Sequence, residues 1–238
     1  MIQKNILITG GSKGLGLELA KKYAASNNVT IISRTSEVSN KNFNFIKSDL
    51  TKSKLATRAI KKIKSKFNNI DLIICCTGGG KKISNDELKD KILQQYLNLN
   101  LFTVSNLIDA YLKIYKKKQT KIIVISSIVS KKIINAPIGY SVAKAALDFF
   151  VKILAKKLAG NKISLNLISP GNILIKNNSW YKKIQKNSRK VKKYINDNVP
   201  SKKFISSDEI FEITKVFFNN NSGNITGTDF IIDGGESL

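Results

Sequence analysis

Thr9-Gly10-Gly11-Ser12-Lys13-Gly14-Leu15-Gly16 follows directly on the apolar run Asn5-Ile6-Leu7-Ile8 and leads straight into Leu17-Glu18-Leu19-Ala20. An apolar, β-branched run that ends in closely spaced glycines and then takes on helical periodicity predicts a buried strand, a tight turn and a helix. Glycines at such a turn let the backbone reverse sharply and approach a bound group closely. The helix behind them presents unpaired N–H donors to an anion. The turn from Gly10 to Gly16, with Ser12, Lys13, Gly14 and Leu15 inside it, is therefore expected to hold the pyrophosphate of a dinucleotide. The alternative is a tight strand-to-helix turn without a ligand. The position of the turn at the first such junction of the chain argues against that alternative.

Outward from this turn, short Ile-, Leu- and Val-rich runs alternate with longer segments of helical period. Strands are expected at Asn5 to Thr9, Val29 to Ser33, Asn44 to Ile46, Asp71 to Cys75, Lys121 to Ser126, Ser164 to Ile168 and Asp229 to Ile232. Most are continuously apolar, as strands covered on both faces must be. Helices are expected at Leu15 to Ser26, Lys52 to Lys66, Asp86 to Lys116, Gly139 to Ala159, Trp180 to Asn196 and Ser207 to Asn219. Strict alternation implies an α/β fold, a doubly wound parallel sheet of seven strands with helices on both faces. Ligands of such sheets lie beyond the carboxyl ends of the strands. This directs attention to Gly10 to Gly16, Arg34, Asp49, Thr77 to Gly79, Ser126 with Ser127, and Pro170 with Gly171.

With 238 residues, 42% of them hydrophobic, the chain can build one sizeable core, and a single domain is expected. Its first apolar run is too short for a signal peptide, and no run approaches the roughly 18 to 20 residues of a membrane-spanning helix. The chain has no His, and its two cysteines, Cys75 and Cys76, are adjacent. That spacing suits neither an ordinary disulfide nor a zinc site, so reduced, buried thiols, a cytoplasmic location and no metal are expected. The formal net charge of +25 comes almost wholly from Lys. These residues are scattered and lack interleaved aromatics, which favours a solvated basic surface over a nucleic-acid groove. A functional basic face that steers anions is the other reading.

Tyr140-Ser141-Val142-Ala143-Lys144 places a phenol and an ammonium one helical turn apart on one face. A phenol titrates near pH 10 and needs a neighbouring cation to exchange protons at neutrality. Ser127 lies 13 positions before the Tyr, after the apolar run Ile122 to Ser126, where its hydroxyl can hold a carbonyl oxygen.

Together, the TGxxxGxG turn, Asn100 within Leu99-Asn100-Leu101, Ser127, the Tyr140-x-x-x-Lys144 pair, Ser169-Pro170-Gly171 and Asp233-Gly234-Gly235 occur in order from Ile6 to Gly235. This series resembles the short-chain dehydrogenase/reductase family, in particular its NADP-preferring, 3-oxoacyl-reductase-like branch with a single Rossmann domain. The resemblance implies hydride transfer between a nicotinamide and a substrate carbon. Tyr140 would exchange the proton on oxygen and Ser127 would position that oxygen. Lys144 would lower the Tyr pKa and hold the nicotinamide ribose, and Asn100, preferred to Asn98, would support a water relay. It further implies that Pro170, Gly171 and the backbone of Ile173 flank the nicotinamide, with Thr77 and Gly78 also on the cofactor. Asp49 and Leu50 would contact the adenine, although Asp49 could equally cap the helix beginning near Lys52.

Relatives that bind NAD place an acid at the end of the second strand, where this chain has Ser33 and Arg34. A guanidinium can pair with a 2′-phosphate, and Lys13 adds a second cation, so NADP(H) is the expected cofactor. The reaction implied is reduction of a 3-oxoacyl-like or sugar-like ketone by a homodimer or homotetramer. Two departures from the family stand out. Cys75-Cys76-Thr77-Gly78 replaces Asn-Asn-Ala-Gly, and Leu174 and Ile175 stand where a threonine commonly follows the Pro-Gly turn. Residues 172–200 are expected to form a helical lid, or else a segment whose aromatics only pack on the core. The competing function is a non-catalytic nucleotide-binding or regulatory protein that uses its basic face for nucleic acid or a partner.

Overall fold

The structure is a computed structural model and describes residues 3–35, 42–116, 119–220 and 223–238. Seven parallel strands form one sheet in the order β3-β2-β1-β4-β5-β6-β7. They are β1 (Asn5–Thr9), β2 (Asn28–Ser33), β3 (Phe43–Lys47), β4 (Leu72–Cys75), β5 (Thr120–Ile125), β6 (Ile163–Pro170) and β7 (Asp229–Ile232). The helices are α1 (Gly14–Ala24), α2 (Ser53–Lys64), α3 (Asp90–Leu97), α4 (Thr103–Tyr115), α5 (Ile138–Leu158), α6 (Ser179–Lys186), α7 (Ser188–Asn198) and α8 (Ser207–Asn219).

Side chains alternate across a strand, so a strand apolar at every position feeds two cores at once. Leu7, Ile73, Val124 and Leu167 enter one core, filled by α2, α4 and α5 with Ile60, Tyr111 and Leu147. Ile6, Ile8, Ile74, Ile123 and Ile168 enter the other, filled by α1 and α8 with Leu19, Tyr23 and Phe217. At about 25 cal/mol per Å2 of apolar surface buried, each fully buried Ile or Leu contributes roughly 1.5–3 kcal/mol, and this drives helices onto both faces.

The chain winds outward from β1 in both directions, through β2 and β3 on one side and from β4 to β7 on the other. The crevice therefore opens where β1 meets β4. The expected strands all form, most within a residue or two of the positions read from sequence.

Two helices differ from expectation. The sequence predicts one helix over Asp86 to Lys116, but α3 starts at Asp90 and a π-helical segment, Asn98–Phe102, separates it from α4. The sequence predicts one helix over Trp180 to Asn196, and the structure has two, broken at Asn187, whose side chain accepts the backbone N–H of Lys190 and starts α7 afresh.

Candidate active site

The glycine turn has the conformation its composition demands. Gly10 has φ +68° and lies against the Cys76–Thr77 backbone, and a Cβ on Gly16 would stand 2.6 Å from the Gly10 carbonyl oxygen. Gly14, at φ +58°, is different: a Cβ there would meet nothing within 4 Å, so the turn faces open space. Helix α1 starts at this point with no acidic residue in its first turn and no side-chain cap. Its N-terminal donors are thus left for an external anion. The turn and the uncapped helix start could together hold a pyrophosphate.

At the end of β2 the Ser33 hydroxyl lies 2.7 Å from that of Ser12, tying the glycine turn to the neighbouring strand end. Arg34 follows and is exposed, as is Lys13. Asp49 follows β3, and its carboxylate accepts from the Thr51 backbone N–H (3.0 Å) and hydroxyl (2.8 Å). It caps this turn and not α2 itself, whose N-cap is Lys52. Leu50 is buried in the core, and its carbonyl accepts from Asn106 Nδ2 at 2.9 Å.

A cleft of about 190 Å3 lies beyond β4, β5 and β6. Leu15, Cys76, Gly78, Gly79, Ser126, Ser127, Tyr140, Lys144, Pro170, Gly171 and Ile173 line it. The structure thus brings together residues from four distant parts of the sequence. Cys75 is buried as expected, whereas Cys76 is only partly buried and forms part of the cleft wall. Both thiols are free, and desolvation pushes that of Cys76 up to about 12. Among the described residues no group of His, Cys, Asp or Glu could hold a metal ion.

Helix α5 carries Tyr140 and Lys144 on its inner face. Lys144 is 3% exposed and donates to the Ile125 carbonyl oxygen at 2.8 Å. Burial lowers its pKa to about 8, with Asp148, Cys76 and Cys75 opposing that shift. Tyr140 moves the other way. Burial raises its pKa, a side-chain hydrogen bond with Ser127 lowers it, and Asp148 raises it again. Burial, Ser127 and Asp148 are thus the influences on the phenol in this structure. Ser127 heads a short 3-10 turn, Ile128–Ser130, and accepts the Val129 N–H at 3.4 Å.

Asn100 is fully buried in the π-helical segment. Its Oδ1 accepts the Gly79 N–H at 2.9 Å, and its Nδ2 donates to the carbonyls of Tyr96 (3.0 Å) and Gly79 (3.3 Å). Asn98 instead accepts from Gln94 at the surface. A Cβ on Gly78 would stand 2.8 Å from Asn100 Oδ1 and 3.4 Å from Lys144 Nζ, so amide and ammonium are neighbours across this glycine. The Thr77 hydroxyl is buried without a partner. Beyond Pro170 and Gly171, Ile173 bridges to Ile205, and its carbonyl accepts from Asn178 Nδ2 at 2.7 Å.

Some contributors escaped the sequence reading. Asp148, one turn beyond Lys144, is buried and accepts from the Ser126 hydroxyl and from Lys131, which also reaches Asp229 at 2.6 Å. Its signal was an acid inside the apolar stretch Ala145 to Val151. Gly80 lies against Tyr140, where a Cβ would come within 2.7 Å of the ring.

Comparison with known proteins bears on this arrangement. A family model described as short chain dehydrogenase matches residues 4–185. The chain is 30% identical over 243 residues to 3-oxoacyl-(acyl-carrier-protein) reductase FabG of Buchnera aphidicola subsp. Baizongia pistaciae, covering 98% of this chain and 97% of that protein. Among solved structures, ElxO with NADP bound superposes with a TM-score of 0.87 at 26% identity, covering 99% of both chains. A short chain dehydrogenase from Leptospira borgpetersenii serovar Hardjo-bovis with bound NAD+ superposes with a TM-score of 0.86 at 25% identity, covering 99% of this chain and 93% of that one.

Proposed function

The chain belongs to the short-chain dehydrogenase family, and from that premise we propose that it is an NADPH-dependent reductase converting a 3-oxoacyl-type ketone to a secondary alcohol. The observation that carries this reading is the convergence of Ser127, Tyr140 and Lys144 on one cleft beside the glycine cradle. The Buchnera relative, a 3-oxoacyl reductase, favours that substrate class over a sugar-like ketone.

The residues present fit a dinucleotide. Gly14 leaves open space at the N-terminus of α1, Gly10 and Gly16 let the backbone of the turn pack closely, and Ser12, Lys13 and Leu15 complete it. Asp49 and Leu50 would border the adenine, Thr77 and Gly78 the adjoining ribose, and Pro170, Gly171 and Ile173 the nicotinamide. The end of β2 supports the phosphorylated cofactor, because Ser33 is bonded to Ser12 and the exposed Arg34 offers a guanidinium where a carboxylate would repel a 2′-phosphate. When bound, the cofactor supplies the hydride.

The protein's own part is proton transfer and orientation. Ser127 donates its hydroxyl hydrogen to the ketone oxygen and fixes it beside Tyr140. The phenol, which burial holds protonated, gives its proton to that oxygen as negative charge develops there. Lys144 stabilises the resulting phenolate, a favourable ion pair within a buried site. Asn100 clamps the β4 turn at Gly79, next to Lys144, and a water relay for reprotonation would run past it.

Exposed Val142, Phe149 and Ile153 on α5 form an apolar stripe and support assembly as a homodimer or homotetramer. Size-exclusion with light scattering tests this, since a lone 26.4 kDa species would reject it. The two free thiols support a cytoplasmic, reducing location. Among the described residues no helix is long and apolar enough to cross a membrane.

The deciding experiment is fluorescence titration with NADPH and NADH, followed by NADPH oxidation with acetoacetyl-CoA. NADPH binding with turnover supports the reading. Absence of both, with retention on nucleic acid at low salt, would favour a regulatory protein using its basic surface.

A further inference from the structure

From the contacts of the turn after β7, we infer that Glu236 is a positioning residue: it ties α6 and α7, the segment expected from the sequence to cover the substrate, to the wall of the catalytic cleft and thereby sets substrate affinity. The inference rests on the reading of that cleft as a ketone-reducing site.

Glu236 is a carboxylate with 2% exposure, and such a group is costly to bury unless it is hydrogen-bonded. Its partners come from widely separated parts of the chain. One oxygen accepts from Asn172 Nδ2 at 2.6 Å, immediately after the Pro170-Gly171 turn that lines the cleft. The other accepts from the Tyr194 hydroxyl of α7 at 3.0 Å. Lys132, from the segment after Ser127, donates to the Glu236 carbonyl at 2.6 Å. A Cβ on Gly171 would lie 3.3 Å from the Glu236 carboxylate, so this group sits directly behind the cleft wall.

Tyr194 passes the link onward. Its ring packs on Trp180 of α6, with centroids 5.2 Å apart, and Trp180 also meets Phe204 at 5.5 Å and carries Lys183 Nζ over its face at 4.2 Å. Helix α6 buries no residue fully and α7 buries only Val191 and Ile195. A segment with so little burial opens readily unless something ties it down. The second fastening lies in the same turn. Gly234 (φ +66°) accepts the Ser201 N–H at 3.0 Å, and a Cβ there would stand 2.1 Å from Ser201 Oγ. Asp233 accepts from the N–H groups of Gly235 (2.9 Å) and Ser237 (2.7 Å), which shapes the turn that presents Glu236.

Trp180 is the single tryptophan of the chain, so its emission reports the α6–α7 segment alone. The test compares wild type, Glu236→Ala, Glu236→Gln and Tyr194→Phe by acrylamide quenching of Trp180, thermal melting, and steady-state reduction of acetoacetyl-CoA by NADPH. Loss of the carboxylate is expected to raise the quenching constant about twofold or more, with the main melting transition retained. KM for acetoacetyl-CoA should rise about tenfold while kcat stays within about threefold. Glu236→Gln should recover most of both effects, because its amide oxygen still accepts from Tyr194 and Asn172 can turn its own amide to meet the new NH2.

Wild-type quenching and wild-type KM in a folded Glu236→Ala protein would overturn the inference. Should that variant not fold, Tyr194→Phe decides in its place, since it removes one hydroxyl and keeps the carboxylate. Failure of the wild-type protein to reduce acetoacetyl-CoA would instead count against the proposed reaction, and the quenching comparison would still decide the latch.

Discussion

Lys144 Nζ donates to the carbonyl oxygen of Ile125 at 2.8 Å, so the last residue of β5 holds the one ammonium buried on the inner face of α5. The carbonyl orients this cation without neutralising it. Burial therefore dominates and lowers its pKa from 10.5 to about 8.

A lysine whose folded pKa lies below its unfolded value opposes folding while it is charged, and the penalty fades as pH rises through the folded pKa towards the unfolded one. Lys144→Met should therefore be more stable than wild type at pH 7. The difference should be greatest below pH 8 and vanish near pH 10.5, a span on the order of 2–3 kcal/mol less the lost hydrogen bond to Ile125. Urea unfolding of both proteins across this range measures it. The same variant should lose ketone reduction by about a hundredfold to a thousandfold.

Tyr140→Phe should keep NADPH affinity within about threefold and lower kcat by about a hundredfold to ten-thousandfold, the usual contribution of a positioned general acid. Cofactor titration beside single-turnover reduction separates the two effects. Equal losses in binding and turnover would point to a role in holding the cofactor instead.

Gly80→Ala places a methyl group 2.7 Å from the Tyr140 ring, so the ring or the turn must shift to admit it. Displacing the phenol by even a fraction of an ångström should lower kcat by about tenfold to a hundredfold. The thermal midpoint and NADPH dissociation constant should change little. A fully active variant would show that the β4 turn moves more easily than the ring.

Arg34→Asp should weaken NADPH binding by about 10- to 100-fold and leave NADH binding unchanged or improved, because a charge-assisted contact to one phosphate is lost and a like charge replaces it. Isothermal titration with both nucleotides checks this. Equal weakening of both would assign Arg34 to the fold of the turn and not to the choice of cofactor.

The central strands β1, β4 and β5 were readable because their side chains face apolar layers on both sides, which leaves short continuous apolar runs. The site residues at strand ends followed from that, since the topology puts them on one edge. What stayed hidden has a different origin. A buried acid such as Glu236 owes its place to Asn172 and Tyr194, 64 and 42 positions away, and local pattern carries no trace of such partners. Gly80 looked like one more glycine in a loop, and its contact with Tyr140 exists only after α5 docks. The break at Asn187 was legible in principle, because Asn followed by Ser is a helix-start signal, but the helical period on either side masked it.

The π-helical segment Asn98–Phe102 means that the chain between α3 and α4 holds one residue more than a continuous α-helix would. Register is therefore a functional variable at this point. Removing a single residue from the segment would let the two helices fuse into one α-helix with α3 and α4 kept in place, and the change would fall on the residues of the bulge itself. Asn100 would swing away from Gly79, and the β4 turn would lose its clamp. Substitutions are read one side chain at a time, but here a deletion with no change in composition worth remarking would strike the active site hardest, and the fold would survive it.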